Sequence, residues 1–360
     1  MGISNISNGW RPGICTSTTR PTAPYEGQMI YETDTDLVLV YDGSYWISVM
    51  PQRNLLINGA MQVAQRATSA SGLGTVTAYY TADRWQTNMT TMGTWTQSVE
   101  NDAPTGSGFR KSLKMLCTTA NASLSAGSEG HIWQKIEGQN LQSIKKGTSS
   151  AEQITISFWV KSNTTGTYTL ELYDNDNTRQ ISKSYSVSAS GTWEFKSLTF
   201  PADTTGAFDN DNALSLYVLW WLAAGTNFTS GSLGSSWASA TSANRAVGQT
   251  NLASATNNYW QITGVQMDIG ANASPFEFKD YGRELLECQR YYFKTDNTNG
   301  VSTSNVYHRN SFPVVMRARP TISYANGAGS FVTGNVGTDG FYAVNGTTTA
   351  YDFTADGAEL

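Results

Sequence analysis

Along residues 154–223 apolar side chains return at every second position, the period of a strand with one buried face. Ile154, Ile156, Phe158 and Val160 share one side of the first run, with Trp159 and Lys161 on the other. Leu170 and Leu172 oppose Glu171 and Tyr173. Leu214, Leu216, Val218, Trp220 and Leu222 fall together, with Tyr217, Leu219 and Trp221 opposite them. This pattern predicts strands over 154–161, 166–173, 192–200 and 213–223. A further strand, from Tyr259 to Met267, runs into a Gly-rich turn. Only the stretch from Glu284 towards Phe293 starts as a helix.

Nearer the start, the pattern predicts a β-meander within residues 1–50. Its strands are Met29–Tyr31, Leu37–Tyr41 and Tyr45–Val49, with turns at Thr33–Asp36 and at Asp42-Gly43. Three short strands cannot bury a core alone, so this module must pack on a neighbour or on another copy. The chain's 360 residues exceed the ~250–300 at which single cores stop growing. The expected division is a meander over 1–50, a jelly-roll β-sandwich over 51–283, and a helix with a small β-domain over 284–360. In the last piece Gly327, Gly329, Gly334, Gly337, Gly340 and Gly346 punctuate short strands. Residues 226–258 have no period and read as a long loop anchored by Phe228, Leu233 and Trp237, of the kind that is functional or mobile. No internal repeat is visible.

Composition sharpens the fold class to all-β. Charged residues make up only 14% of the chain, and Gly, Ser, Thr, Asn and aromatics suit many short strands joined by tight turns. The net charge of −5, with Lys and Arg scattered, argues against nucleic acid as a partner. Residues 1–25 carry no secretion signal. The longest apolar run, 213–224, falls short of the ~18–20 residues that span a bilayer, so no membrane insertion is expected. Cys15, Cys117 and Cys288 are unevenly spaced and read as free thiols of a protein assembled in a reducing cytoplasm.

Candidate chemistry is sparse, and no enzyme is expected. His131 and His308 have no triad context, and read as polar loop surface. No zinc or thiolate pattern is present. Asp174-Asn175-Asp176 and Asp209-Asn210-Asp211 lack the rest of a calcium loop and read as Asx turns. Glycosidase chemistry needs two carboxylates at roughly 5–9.5 Å, for which Glu171 with Asp174, or Glu194, are the candidates. No cofactor is called for.

Four segments carry a resemblance. They are RPTAPYEGQMIYETDTDLVLVYDGSYW in the first 50 residues, NLLINGAMQ with TADRW after it, GVQMDIG…PFEFKDYGRELLECQRYY, and FPVVMRARPT. Together they resemble the recurring modules of tailed-phage fibre proteins. The resemblance implies a virion protein assembled in the host cytoplasm. It also implies a homotrimer, contacts with other tail or capsid proteins, and adhesion to host-surface polysaccharide. The general layout is also similar to carbohydrate-binding modules of the jelly-roll type. Trp159, Tyr173, Tyr217 and Trp221, on the non-core side of their strands, could then stack on sugar rings, with Glu171 or Lys161 bonding hydroxyls. Burial of that second face against a neighbour is the simpler reading for these strand residues. Trp237, on a loop, is the better recognition candidate. Two alternatives stay open: a purely architectural virion part, and a polysaccharide-degrading enzyme.

Overall fold

The computed structural model describes residues 12–33, 37–49, 54–295, 300–302, 308–325, 331–345 and 349–360. Residues 34–36 of the expected Thr33–Asp36 turn, and Gly327, Gly329 and Gly346, lie outside the described residues. The architecture is all-β: a jelly-roll-like antiparallel sandwich with smaller β-modules at either end.

The sandwich has a seven-stranded and a six-stranded sheet. In the first the order is Ala238–Ser239, Arg179–Val187, Gly166–Asp174, Leu214–Ala224, Glu129–Glu137, Gln86–Thr90 and Val76–Tyr79. The second runs Glu194–Phe200, Ile154–Ser162, Tyr259–Ile269, Ser112–Thr119, Thr94–Glu100 and Ser69–Leu73. The alternating apolar positions fill the space between them. Phe158 of one sheet meets Trp220 of the other edge-on at 5.7 Å, and Trp220 tilts against Trp85 at 5.4 Å. Each such ring, fully buried, contributes roughly 1.5–3 kcal/mol.

The N-terminal meander is present and gains a strand, Gly13–Cys15, which pairs parallel with Met29–Glu32. Its small core is Ile30, Leu39 and Trp46. The helix spans Tyr281–Gln289, starting three residues earlier than expected because the Asp280 side chain accepts the Arg283 N–H and caps it. Beyond it, short strands pack around Phe312, Phe341 and Phe353. Cys117 and Cys288 are buried free thiols.

Most of the recurring segments meet in one seam. The Asn54 amide donates to the Val265 carbonyl oxygen at 2.9 Å, and its Oδ1 accepts from Met267 N at 2.9 Å. Asn54 N donates to Glu277 Oε2 at 2.7 Å, and Glu277 N to Gln266 Oε1 at 2.7 Å. Asn58 N donates to Glu284 of the helix, while its side chain bonds the Val63 and Asp83 carbonyl oxygens. Gly59 has to be glycine, since a Cβ there would lie 2.0 Å from the Val265 oxygen. Arg317, from FPVVMRARPT, donates its N–H to the Arg290 carbonyl oxygen at 2.8 Å. These residues fasten the helix and the C-terminal strands to the sandwich.

Candidate functional site

The seven-stranded sheet turns its outer face away from the core, and its register lines up aromatic and polar side chains in rows. One row runs Lys135, Tyr217, Tyr173, Gln180 across four adjacent strands. A second runs Tyr79, Gln86, Trp133, Leu219, Glu171, Ser182. His131 and Trp221 begin a third. Adjacent strands lie ~4.8 Å apart, so side chains on neighbouring strands touch.

Trp133, Tyr217 and Tyr173 form a half-buried strip. The Trp133 and Tyr217 rings are 4.9 Å apart, and those of Tyr217 and Tyr173 5.9 Å. Trp133 Nε1 donates to Gln86 Oε1 at 2.5 Å. Lys135 Nζ lies 5.2 Å from the Trp133 ring and 5.7 Å from that of Tyr217. Burial, and then the Arg84 charge, push the Lys135 ammonium down to about 8. The strip is thus a row of partly exposed aromatic side chains, and the polar groups at its ends are engaged: Lys135 Nζ also donates to the Leu360 carbonyl oxygen at 2.7 Å, and Gln180 Nε2 to that of Thr241 at 3.1 Å.

The rest of the row is covered. Segment 226–258, expected as a long loop of the functional or mobile kind, folds back over the sheet. Phe228 packs on Trp221 at 5.3 Å, and Leu252 and Ala253 join the core. Arg245 sits 5.2 Å from the Trp221 ring and 5.4 Å from that of Tyr173. Its Nε donates to Glu171 Oε1 at 2.8 Å, and Trp221 Nε1 donates to Glu171 Oε2 at 2.8 Å. Burial pushes the Glu171 carboxyl up, while Arg245 pulls it back. Trp221 and Glu171 are fully buried, so they anchor the covering segment and offer nothing to a ligand. Trp237 is buried as well: its indole N–H donates to the Pro201 carbonyl oxygen at 2.9 Å.

Trp159 belongs elsewhere. It stands on the outer face of the six-stranded sheet, beside exposed Phe195 at 5.4 Å, on the far side of the sandwich from Tyr217. Lys161 on that face is paired with Asp102. Equal alternation in two strands cannot tell which sheet each joins. Trp133, Lys135 and Gln180 were missed altogether, although Ile132 and Ile136 alternate with Trp133 and Lys135 and could have revealed the strand.

The candidate carboxylates are engaged in structure. Asp174 accepts from Lys146 Nζ at 2.6 Å, and Glu194 accepts the Ser188 and Ala189 N–H groups and pairs with Lys196. Asp211 makes the expected Asx turn, accepting from Ala213 N at 2.9 Å. Among the described residues no three His, Cys, Asp or Glu side chains gather as a metal would need. A cavity of about 430 Å³ lies apart from the strip, where Arg20, Glu32 and Trp46 face residues 269–274. Arg20 there is already paired with Glu32.

His131, expected as polar loop surface, stands in the Glu129–Glu137 strand and is buried between Trp133 and Trp221 at 4.5 and 4.9 Å. Neither ring nitrogen has a partner among the described residues. Burial, and then the Arg245 charge, hold its pKa well below the usual value, so the folded imidazole is neutral. The unfolded chain titrates near ~6.5 and takes up a proton the fold refuses. His131 therefore erodes stability as pH drops below about 6.5, by up to ~1.4 kcal/mol per pH unit. His131→Phe should remove that slope, read as urea midpoints of both chains at pH 7, 6 and 5; parallel slopes would contradict it. Asp83, raised to about 6 chiefly by burial, works in the opposite sense. The stability it gives is full below ~3.9 and is lost as pH rises through about 6, so the two chains are compared at each pH.

No protein-family model matches the chain, and no curated protein matches it. Among solved structures it is similar to the enzymatically active domain of tailspike protein 4 of bacteriophage CBA120. The identity is 13% and the TM-score 0.33, over 60% of this chain and 21% of that one. The family 11 carbohydrate-binding module of Clostridium thermocellum, in complex with a β-1,3-1,4-mixed-linked tetrasaccharide, matches at 11% identity and a TM-score of 0.24. That match covers 59% of this chain and 93% of the module. The K1 cleaved adhesin domain of Lys-gingipain from Porphyromonas gingivalis matches at 13% identity and a TM-score of 0.26, over 57% of this chain and 100% of that one. The chain spans about a fifth of the length of the tailspike chain. At such scores no site or activity passes from these proteins to this one.

Proposed function

We propose that this chain is a tailed-phage virion protein of the fibre class, whose sandwich holds host-surface polysaccharide along the Trp133–Tyr217–Tyr173 strip. The carrying observation is the strip itself: three aromatic side chains on three neighbouring strands, left partly exposed while the covering segment buries Trp221 and Glu171 beside them. The virion assignment rests on the four resembling segments, three of which meet in the seam and so belong to the scaffold, leaving the ligand open. Adhesion is favoured over hydrolysis because Glu171, the candidate carboxylate beside the strip, is buried and held by Arg245.

The assembly is proposed to be a homotrimer, since the N-terminal module has only three buried apolar residues of its own among those described. Light scattering at micromolar concentration should give the mass of three chains, and a monomer would overturn it. The adhesin is tested by saturable binding of labelled protein to host envelope polysaccharides, with released reducing ends scored in the same wells. Binding without release is the expected outcome.

A further inference from the structure

Lys146 is a buried cation inside a cage of oxygens. Its side chain is 1% exposed, and its Nζ lies 2.6 Å from Asp174 Oδ2, 3.1 Å from Asp203 Oδ2, 2.9 Å from Thr205 O and 2.7 Å from Gly206 O. An ammonium has three protons, so four acceptors crowd around a group that can satisfy only three with directed bonds. That is coordination around a charge. The two carboxylates are themselves buried, at 0% and 5% side-chain exposure.

The surroundings hold the oxygens in place without the lysine. Asn177 Nδ2 donates to both Asp174 oxygens, and Arg179 donates to both Asp203 oxygens at 2.8 and 3.0 Å. Gly206, at φ +70, lets two successive carbonyl groups turn inward, and a Cβ on it would strike Asn177 at 2.5 Å. Phe208 and Trp237 close the cage, their rings 5.2 and 5.5 Å from Nζ.

We infer that this is a cation site of the sandwich, and that Lys146 is its built-in occupant in place of a hard metal ion. The donor set is oxygen only, with two carboxylates and two backbone carbonyls, which is calcium chemistry. Calcium prefers oxygens at ~2.3–2.6 Å, so the cage would contract by a few tenths of an ångström. Water would complete the shell in the space a shorter side chain leaves. The native chain, carrying its own cation, needs no calcium from its surroundings to hold these loops.

The test compares wild type with Lys146→Ala and Lys146→Met, in EDTA and in millimolar calcium. Wild type should melt at the same temperature in both. Lys146→Ala should lose roughly 6–20 °C in EDTA, the range expected when a buried charge pair is broken in a domain of this size, and regain much of it with calcium. Lys146→Met, which fills the cage with an apolar chain, should fall in EDTA and stay low with calcium. Terbium bound in the Lys146→Ala cage should be sensitised by Trp237 and emit above the Lys146→Met background. If Lys146→Ala fails to fold without metal, its refolding yield with calcium against EDTA reads the same question. Three outcomes would each overturn the inference: wild type losing stability in EDTA, Lys146→Ala indifferent to calcium, or terbium emission equal in the two variants.

Discussion

Replacing Glu359 with alanine should destabilise the fold by roughly 3–5 kcal/mol, the cost of leaving a buried charge without its partner. The charge is Arg84 of the TADRW segment, whose side chain is 1% exposed. Its guanidinium pairs with Glu359, donates to the Lys135 carbonyl oxygen at 2.6 Å and lies 3.5 Å over the Tyr291 ring. Glu359 also takes Arg66, which stacks on Tyr292 at 3.6 Å. Against burial, Glu359 keeps Arg84 ionised. Without it, Arg84 stays enclosed by aromatic rings that cannot neutralise it, while Arg66 retains Asp356. Glu359→Gln should lie between wild type and alanine, because it keeps an acceptor and loses the charge. Chemical denaturation reads both, and a Glu359→Ala midpoint within error of wild type would mean that the seam is not held at this point.

The largest expected effect on function is at the strip. Tyr173→Ala with Tyr217→Ala in one chain should weaken polysaccharide binding by roughly 10–100-fold, since two stacking faces and their buried area go at once. Both side chains are only partly exposed and pack on Trp133, Lys135 and Arg245, so the melting temperature is read alongside and binding is scored only where the double variant is folded. Trp159→Ala, on the opposite sheet, should bind as wild type does. Trp221→Ala is a poor probe, because the indole holds Glu171 and supports Phe228 beneath the covering segment.

The strands over 154–162, 166–174 and 214–224 were legible because their apolar alternation is local and strict. So was the sandwich, since so many strands with turn chemistry between them leave few alternatives. The strand carrying His131, Trp133 and Lys135 was not read, because Gly130, His131 and Gln134 dilute its pattern. The side chains on the non-core side of each strand could be read from alternation, but their grouping and their burial could not. Trp159 and Tyr217 show the same alternation and lie on opposite sheets, a fact set by strand order across the whole sandwich. Trp221, Glu171 and Trp237 are buried by Arg245, Phe228 and Pro201, contacts that arise far along the chain and leave no local trace. The segments that carry the resemblance were plain in the sequence, and the structure gives three of the four a holding role in the seam.

The most direct test of the account is binding of the purified chain and its Tyr173→Ala, Tyr217→Ala double variant to host envelope polysaccharide, with Trp159→Ala as the reference. The account predicts saturable binding by wild type and by Trp159→Ala, lost in the double variant, with no sugar released. Equal binding by all three chains would place the ligand elsewhere, and no binding by any of them would contradict the adhesion account outright.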